Sequence, residues 1–65
     1  MMAAVERAMG RLPAETREIL LLRHRLGLSH AELVETLRVP EGTVKSRLAR
    51  ALTALRAEVA KEIQT

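Results

Sequence analysis

The chain contains no cysteine and no Phe, Tyr or Trp. Without cysteine there is neither a disulfide nor a thiolate metal site. Without aromatic rings there is no platform on which unpaired bases could stack, which argues against a single-stranded nucleic-acid or RNA module. Histidine is scarce: His24 and His30 fall in different expected helices, are not spaced as a metal pair and have no ligand cluster around them. The longest apolar run, Ile19-Leu20-Leu21-Leu22, is far too short to span a membrane, and no signal-peptide pattern opens the chain. A cytoplasmic protein without membrane insertion is expected. No nucleophile–base pair, carboxylate dyad or phosphate-cradling loop is present, so neither catalytic residues nor a cofactor is expected.

What the chain does have is aliphatic residues and charge. Sixty-five residues make a single domain over 1–65, with a core of Leu, Ile, Val, Ala and Met worth roughly 3–5 kcal/mol of net stability. The Met1-Met2 start leaves room for this domain to be a fragment of a longer protein. The net charge of +3 is unevenly placed. Arg38, Lys45, Arg47, Arg50 and Arg56 face one acid, Glu41, between positions 38 and 56, whereas six basic residues meet seven acidic ones elsewhere. A positive charge gathered in one stretch suits a polyanionic partner.

Glycine and proline punctuate an all-α pattern. Helices are expected at approximately 3–11, 15–26, 30–37 and 41–61. Val5, Ala8, Met9 and Leu12 stripe the first, which Pro13 stops. Ile19, Leu22 and Leu26 form the inner stripe of the second, and Gly27 is its natural left-handed C′ residue. Leu21 falls on the polar side of that helix and needs cover from helix one or from a partner. Ser29-His30-Ala31-Glu32 fits a capping box at the start of the third helix, with Leu28 placed to staple onto Leu33. Ala31, Leu33, Val34 and Leu37 make its buried face. Arg38-Val39-Pro40 is a tight turn with Val39 pointing inward. Val44, Leu48, Ala51, Leu55 and Val59 then stripe a long amphipathic fourth helix, with Leu52 beside the stripe.

Two helices joined by a tight turn, the second opening with small and basic residues, is how a helix-turn-helix is written. Such a helix needs small residues for close approach, hydrogen-bonding groups for base edges and cations for phosphates. Glu41 to Arg47 supplies all three. Lys45, Ser46 and Arg47 are expected to reach bases or adjacent phosphates, Arg50 a phosphate one turn further on, and Gly42 and Thr43 to lie against the DNA backbone. Ser29 and His30 sit where the first motif helix crosses a strand, although Ser29 serves equally as a helix cap. Arg38 either grips phosphate or is solvated.

Leu12-Pro13, Thr16 to Arg23, Gly27-Leu28-Ser29, Glu32-Leu33 and Val39 to Ala51 together resemble the fourth conserved region of bacterial sigma factors, most closely the extracytoplasmic-function branch. The segment Pro40-Glu41-Gly42-Thr43-Val44-Lys45-Ser46-Arg47-Leu48-Ala49-Arg50-Ala51 carries most of the likeness. The resemblance implies a four-helix domain that reads the promoter −35 element as double-stranded DNA, docks on the β flap of RNA polymerase core, and can be masked by an anti-sigma factor. It places promoter contacts at Thr43, Lys45, Ser46, Arg47 and Arg50. The sequence departs from the family pattern at Arg38, where glycine is frequent, at Val34, where a small residue is usual, and near Arg23–Arg25, where an aromatic is often found. Two other readings share these residues. One is the DNA-binding domain of a quorum-sensing-type regulator, which usually ends in a separate dimerisation helix. The other is a protein-interaction module binding the flap or an anti-sigma factor.

Overall fold

The computed structural model describes residues 2–63, which form four helices and no strand; Met1 of the Met1-Met2 start lies outside them. The helices are α1 (Met2–Arg11), α2 (Ala14–Leu20), α3 (His30–Leu37) and α4 (Glu41–Ile63). After Leu20 the second helix widens into a π-helical turn, Leu21–Arg25. The boundaries agree with those expected to within two residues, apart from this change of geometry.

Local chemistry explains the helix ends. Pro13 adopts φ −55° and ψ 149°, and its carbonyl accepts the Arg17 N–H at 3.0 Å, opening α2. The capping box at α3 is complete: Glu32 N–H donates to Ser29 Oγ at 3.1 Å, and Ser29 N–H donates to Glu32 Oε1 at 2.8 Å. Hydrogen bonding to Ser29 holds the Glu32 carboxyl below its ordinary value, the Ser29 backbone N–H contributing most and the Ser29 side chain next. Gly27, at φ 72°, turns the chain after the π-helical segment. The Leu26 N–H reaches the Leu21 carbonyl, and the Leu28 N–H reaches the Leu22 carbonyl, each at 3.0 Å. The second bond spans one residue more than the usual six-to-one closure, as the wider helix requires.

Arg38 closes α3 in the left-handed conformation, φ 57° and ψ 46°, its N–H donating to the Val34 carbonyl at 2.8 Å. A glycine position is thus filled by an arginine, at a cost of about 1 kcal/mol. The Pro40 carbonyl then accepts the Thr43 and Val44 N–H groups at 3.0 and 3.1 Å, starting α4.

The core lies where α2 and α3 meet the first half of α4. Ile19, Leu20, Leu33, Val44, Leu48 and Ala51 are buried there with Leu12, and Leu33 and Val44 are wholly enclosed. Leu28, Val34, Leu37 and Val39 pack around them, so the residue expected to staple α3, the inner face of α3 and the inward-pointing residue of the turn all join one cluster.

Two expectations need correction. Leu26 does not belong to an inner stripe: it is 68% exposed. The π-helical turn after Leu20 alters the angular step per residue, so the 3.6-residue count that placed Leu26 inward fails there, and Leu20 is buried instead. Ala31 is exposed as well. It lies in the first turn of α3, ahead of the contact centred on Leu33.

The fourth helix continues unbroken for 23 residues, about 34 Å at 1.5 Å per residue, and the domain is 39 Å long. Its last turns are tied to α1. Arg11 Nε donates to Glu58 Oε1 at 2.8 Å and Arg11 Nη1 to Glu62 Oε2 at 2.7 Å, while Arg7 Nε reaches Glu62 Oε1 at 2.6 Å. Lys61 adds a contact to Glu58 at 2.9 Å. Hydrogen bonds from Arg11 and Lys61 lower the Glu58 carboxyl, and those from Arg7 and Arg11 lower Glu62. Among the described residues no helix is long and apolar enough to cross a membrane.

Candidate nucleic-acid interface

The N-terminal half of α4 is anchored by Val44, Leu48 and Ala51, which face the core. At about 100° per residue, that anchoring turns Gly42, Ser46, Ala49 and Thr53 outward, and all four are exposed. Ser46 Oγ donates to the Thr43 carbonyl at 3.2 Å, leaving its lone pairs free to accept from outside. A Cβ built on Gly42 would meet nothing within 4 Å. Packing inside the chain therefore does not require glycine at this exposed first-turn position.

Lys45 and Arg47 do not share a face. Two residues apart on the helix, they flank the outward ridge on opposite sides. Lys45 pairs with Glu41 at 3.2 Å along the helix and lines a shallow depression with Arg23, His24 and His30. Arg47 points the other way, toward α2, where Nη1 meets Glu15 Oε1 at 3.7 Å. Arg50 lies beside it in a second trough, about 490 Å³, that also contains Glu15 and Thr16.

The remaining expected contacts are more scattered. Ser29 is engaged as the α3 cap. His30, half-buried, opens α3 and belongs to the Lys45 side. Arg38 is exposed in the left-handed turn. Ser29 and Arg38 line neither depression. Sequence reasoning did not include Arg23 and His24 in this surface. The signal available was the run of basic residues Arg23, His24 and Arg25 in the last turn of the helix preceding the motif, a placement that the helix dipole favours by itself.

A separate apolar groove of about 650 Å³ runs between α1, the π-helical turn and α4, lined chiefly by Val5, Met9, Leu20, Leu21, Leu52 and Leu55. This is where Leu21 goes: helix one covers it in part and leaves it facing the groove. Among the described residues no group of His, Asp and Glu could hold a metal ion.

The family described as Sigma-70, region 4, matches residues 2–55 of the chain. No curated protein and no solved structure gives a match.

Proposed function

The chain belongs to the sigma-70 region 4 family, a DNA-binding and non-enzymatic family of transcription initiation, and we propose that it reads the −35 element of promoter DNA through the N-terminal half of α4. In this reading it is one domain of a longer sigma factor of the extracytoplasmic-function branch, acting in the cytoplasm. Gly42, Thr43 and Ser46 approach the groove. Lys45, Arg47 and Arg50, with Ser29, His30 and Arg38, meet bases or phosphates.

The observation that carries the proposal is the exposed ridge of Gly42, Ser46, Ala49 and Thr53 between two cationic flanks. A helix roughly 10–12 Å across fits a major groove roughly 12 Å wide. Small side chains at its crest allow the backbone to approach base edges, and cations on both sides meet the two phosphate chains.

Selection of bound duplexes from a randomised pool tests it. One short motif enriches with the unsubstituted chain, and Arg50→Gln or Ser46→Ala weakens or alters that enrichment. A pool that stays random across rounds at low and moderate salt contradicts base reading.

The apolar groove supports a second, compatible role. The family implies an interaction with RNA polymerase, and a helix from the β flap or from an anti-sigma factor would bury its apolar face on Leu21, Leu52 and Leu55. Leu21→Glu then abolishes binding to polymerase core while duplex binding persists. Loss of neither overturns this assignment of the groove.

A further inference from the structure

A carboxylate stands where a phosphate-facing surface has no evident use for one. The trough between α2 and α4 is lined by Arg47 and Arg50 and also by Glu15, from the first turn of α2. The depression on the opposite flank, beside Lys45, has no lining carboxylate. Glu15 Oε1 lies 3.7 Å from Arg47 Nη1, so the pair joins α2 to α4 across the trough. Arg50, in the same trough, forms no ion pair among the described residues. A first-turn acid suits the α2 dipole, but that benefit needs no arginine opposite it.

Resting on the DNA-binding reading of α4, we infer that Glu15 is a positioning residue for DNA binding: it holds Arg47 back from the phosphate chain on its flank and so limits how many phosphates the domain neutralises. With the α4 ridge in the major groove, the trough faces one of the two phosphate chains. A phosphate there meets two guanidinium groups and one carboxylate. While Arg47 stays on Glu15, its charge is already offset and it makes no phosphate contact. Were it to leave, the carboxylate would stand unpaired beside a phosphate, and the two anions repel. In both cases Arg47 contributes little, and Arg50 carries this flank. Sequence-independent affinity comes from phosphate contacts, whereas base contacts specify. A carboxylate that withholds one cation therefore keeps the hold on non-specific DNA weak without touching a base-reading group on the ridge.

The test is the affinity of the chain for a mixed-sequence duplex, about two helical turns long, across a salt series. The Glu15 side chain is 84% exposed, so Glu15→Gln leaves the core untouched. It tightens binding about two- to fivefold at low salt, the range of an exposed ion pair. It also steepens the dependence of log K on log salt by about 0.9, the amount due to one added phosphate contact. Arg47→Gln in the Glu15→Gln background removes both gains, because Glu15 acts through Arg47. The gain is equal on a selected and a scrambled duplex, since phosphate contacts carry no sequence information. Glu18→Gln is the control: Glu18 is exposed on the same helix and does not line the trough, and its loss leaves the slope unchanged. A gain that persists in the Glu15→Gln, Arg47→Gln double variant, or that Glu18→Gln matches, refutes the inference, since Glu15 then acts only as one more negative charge. If Glu15→Gln changes neither affinity nor slope while Arg50→Gln weakens binding, the inference is refuted and DNA binding by α4 stands. If the unsubstituted chain binds no duplex at low salt, the DNA-binding reading fails and the role of Glu15 fails with it.

Discussion

Arg47 on α4 and Glu15 in the first turn of α2 meet at 3.7 Å, so one of the two arginines on that flank is already paired within the protein. Arg50, one turn further along the same trough, forms no ion pair among the described residues. The two arginines therefore differ in what they can offer DNA. Arg50→Gln is expected to lower duplex affinity about three- to tenfold. Arg47→Gln is expected to lower it no more than about twofold, the small effect typical of an exposed, partly neutralised charge. Fluorescence anisotropy with one labelled duplex compares them directly; a larger loss for Arg47→Gln contradicts this division.

Arg38 offers a gain in stability. It holds a left-handed conformation at φ 57°, where a side chain costs about 1 kcal/mol and glycine costs little. Arg38→Gly is expected to stabilise the domain by about 0.5–1 kcal/mol, raising Tm by a few degrees for a domain of this size. Arg38→Ala, which keeps a Cβ, gives no such gain. Equal melting temperatures for Arg38→Gly and the unsubstituted chain would remove the strain argument.

Gly42 should separate stability from function. A Cβ there meets nothing inside the chain, and glycine in a helix costs roughly 0.5 kcal/mol or more relative to alanine. Gly42→Ala is thus expected to raise Tm and weaken duplex binding together. If both rise, close approach of the backbone at Gly42 is not part of recognition.

The sequence disclosed much of this and missed some for identifiable reasons. The α3 start was legible because Ser29 and Glu32 can satisfy each other's backbone N–H groups, a local chemistry that does not depend on the rest of the fold. The left-handed Gly27 was legible because glycine adopts that conformation without steric cost, whereas at Arg38 the residues predicted only a tight turn, and the glycine frequent there in the resembled family was the hint of its left-handed geometry. Leu26 was misplaced because nothing in Leu21–Arg25 announces a π-helical turn, and one widened turn shifts every later residue around the helix. The α1–α4 clamp was overlooked, yet its signal was there. Arg7 and Arg11 share one helix face at four-residue spacing, and Glu58 and Glu62 share another. Only the fold shows that those faces meet. On the candidate interface, the residues along α4 were legible, but their division between two flanks needed the direction of the Arg47 side chain.

The clamp also sets a pH dependence. Glu58, Glu62 and Glu32 have folded values below their ordinary 4.5. A lowered carboxyl binds its proton less readily when folded than when unfolded. Its contribution is therefore fully present above the ordinary carboxylate range and is lost as pH falls through the lowered folded value. Thermal melts are expected to show Tm level from neutrality down to about pH 5 and falling below about pH 4.5. Arg11→Gln, which removes the bridge to both Glu58 and Glu62, lowers Tm at neutral pH and makes the acid fall shallower. An Arg11→Gln curve parallel to that of the unsubstituted chain would exclude the clamp as a source of acid sensitivity.

The claim that most needs testing is that the N-terminal half of α4 reads duplex DNA. Amide chemical shifts of the isotope-labelled chain, followed on titration with a selected duplex and a scrambled one at two salt concentrations, test it residue by residue. The account predicts shifts concentrated on Gly42 to Arg50, larger with the selected duplex and reduced but not abolished at higher salt. Shifts that leave Gly42 to Arg50 untouched at low salt would contradict it.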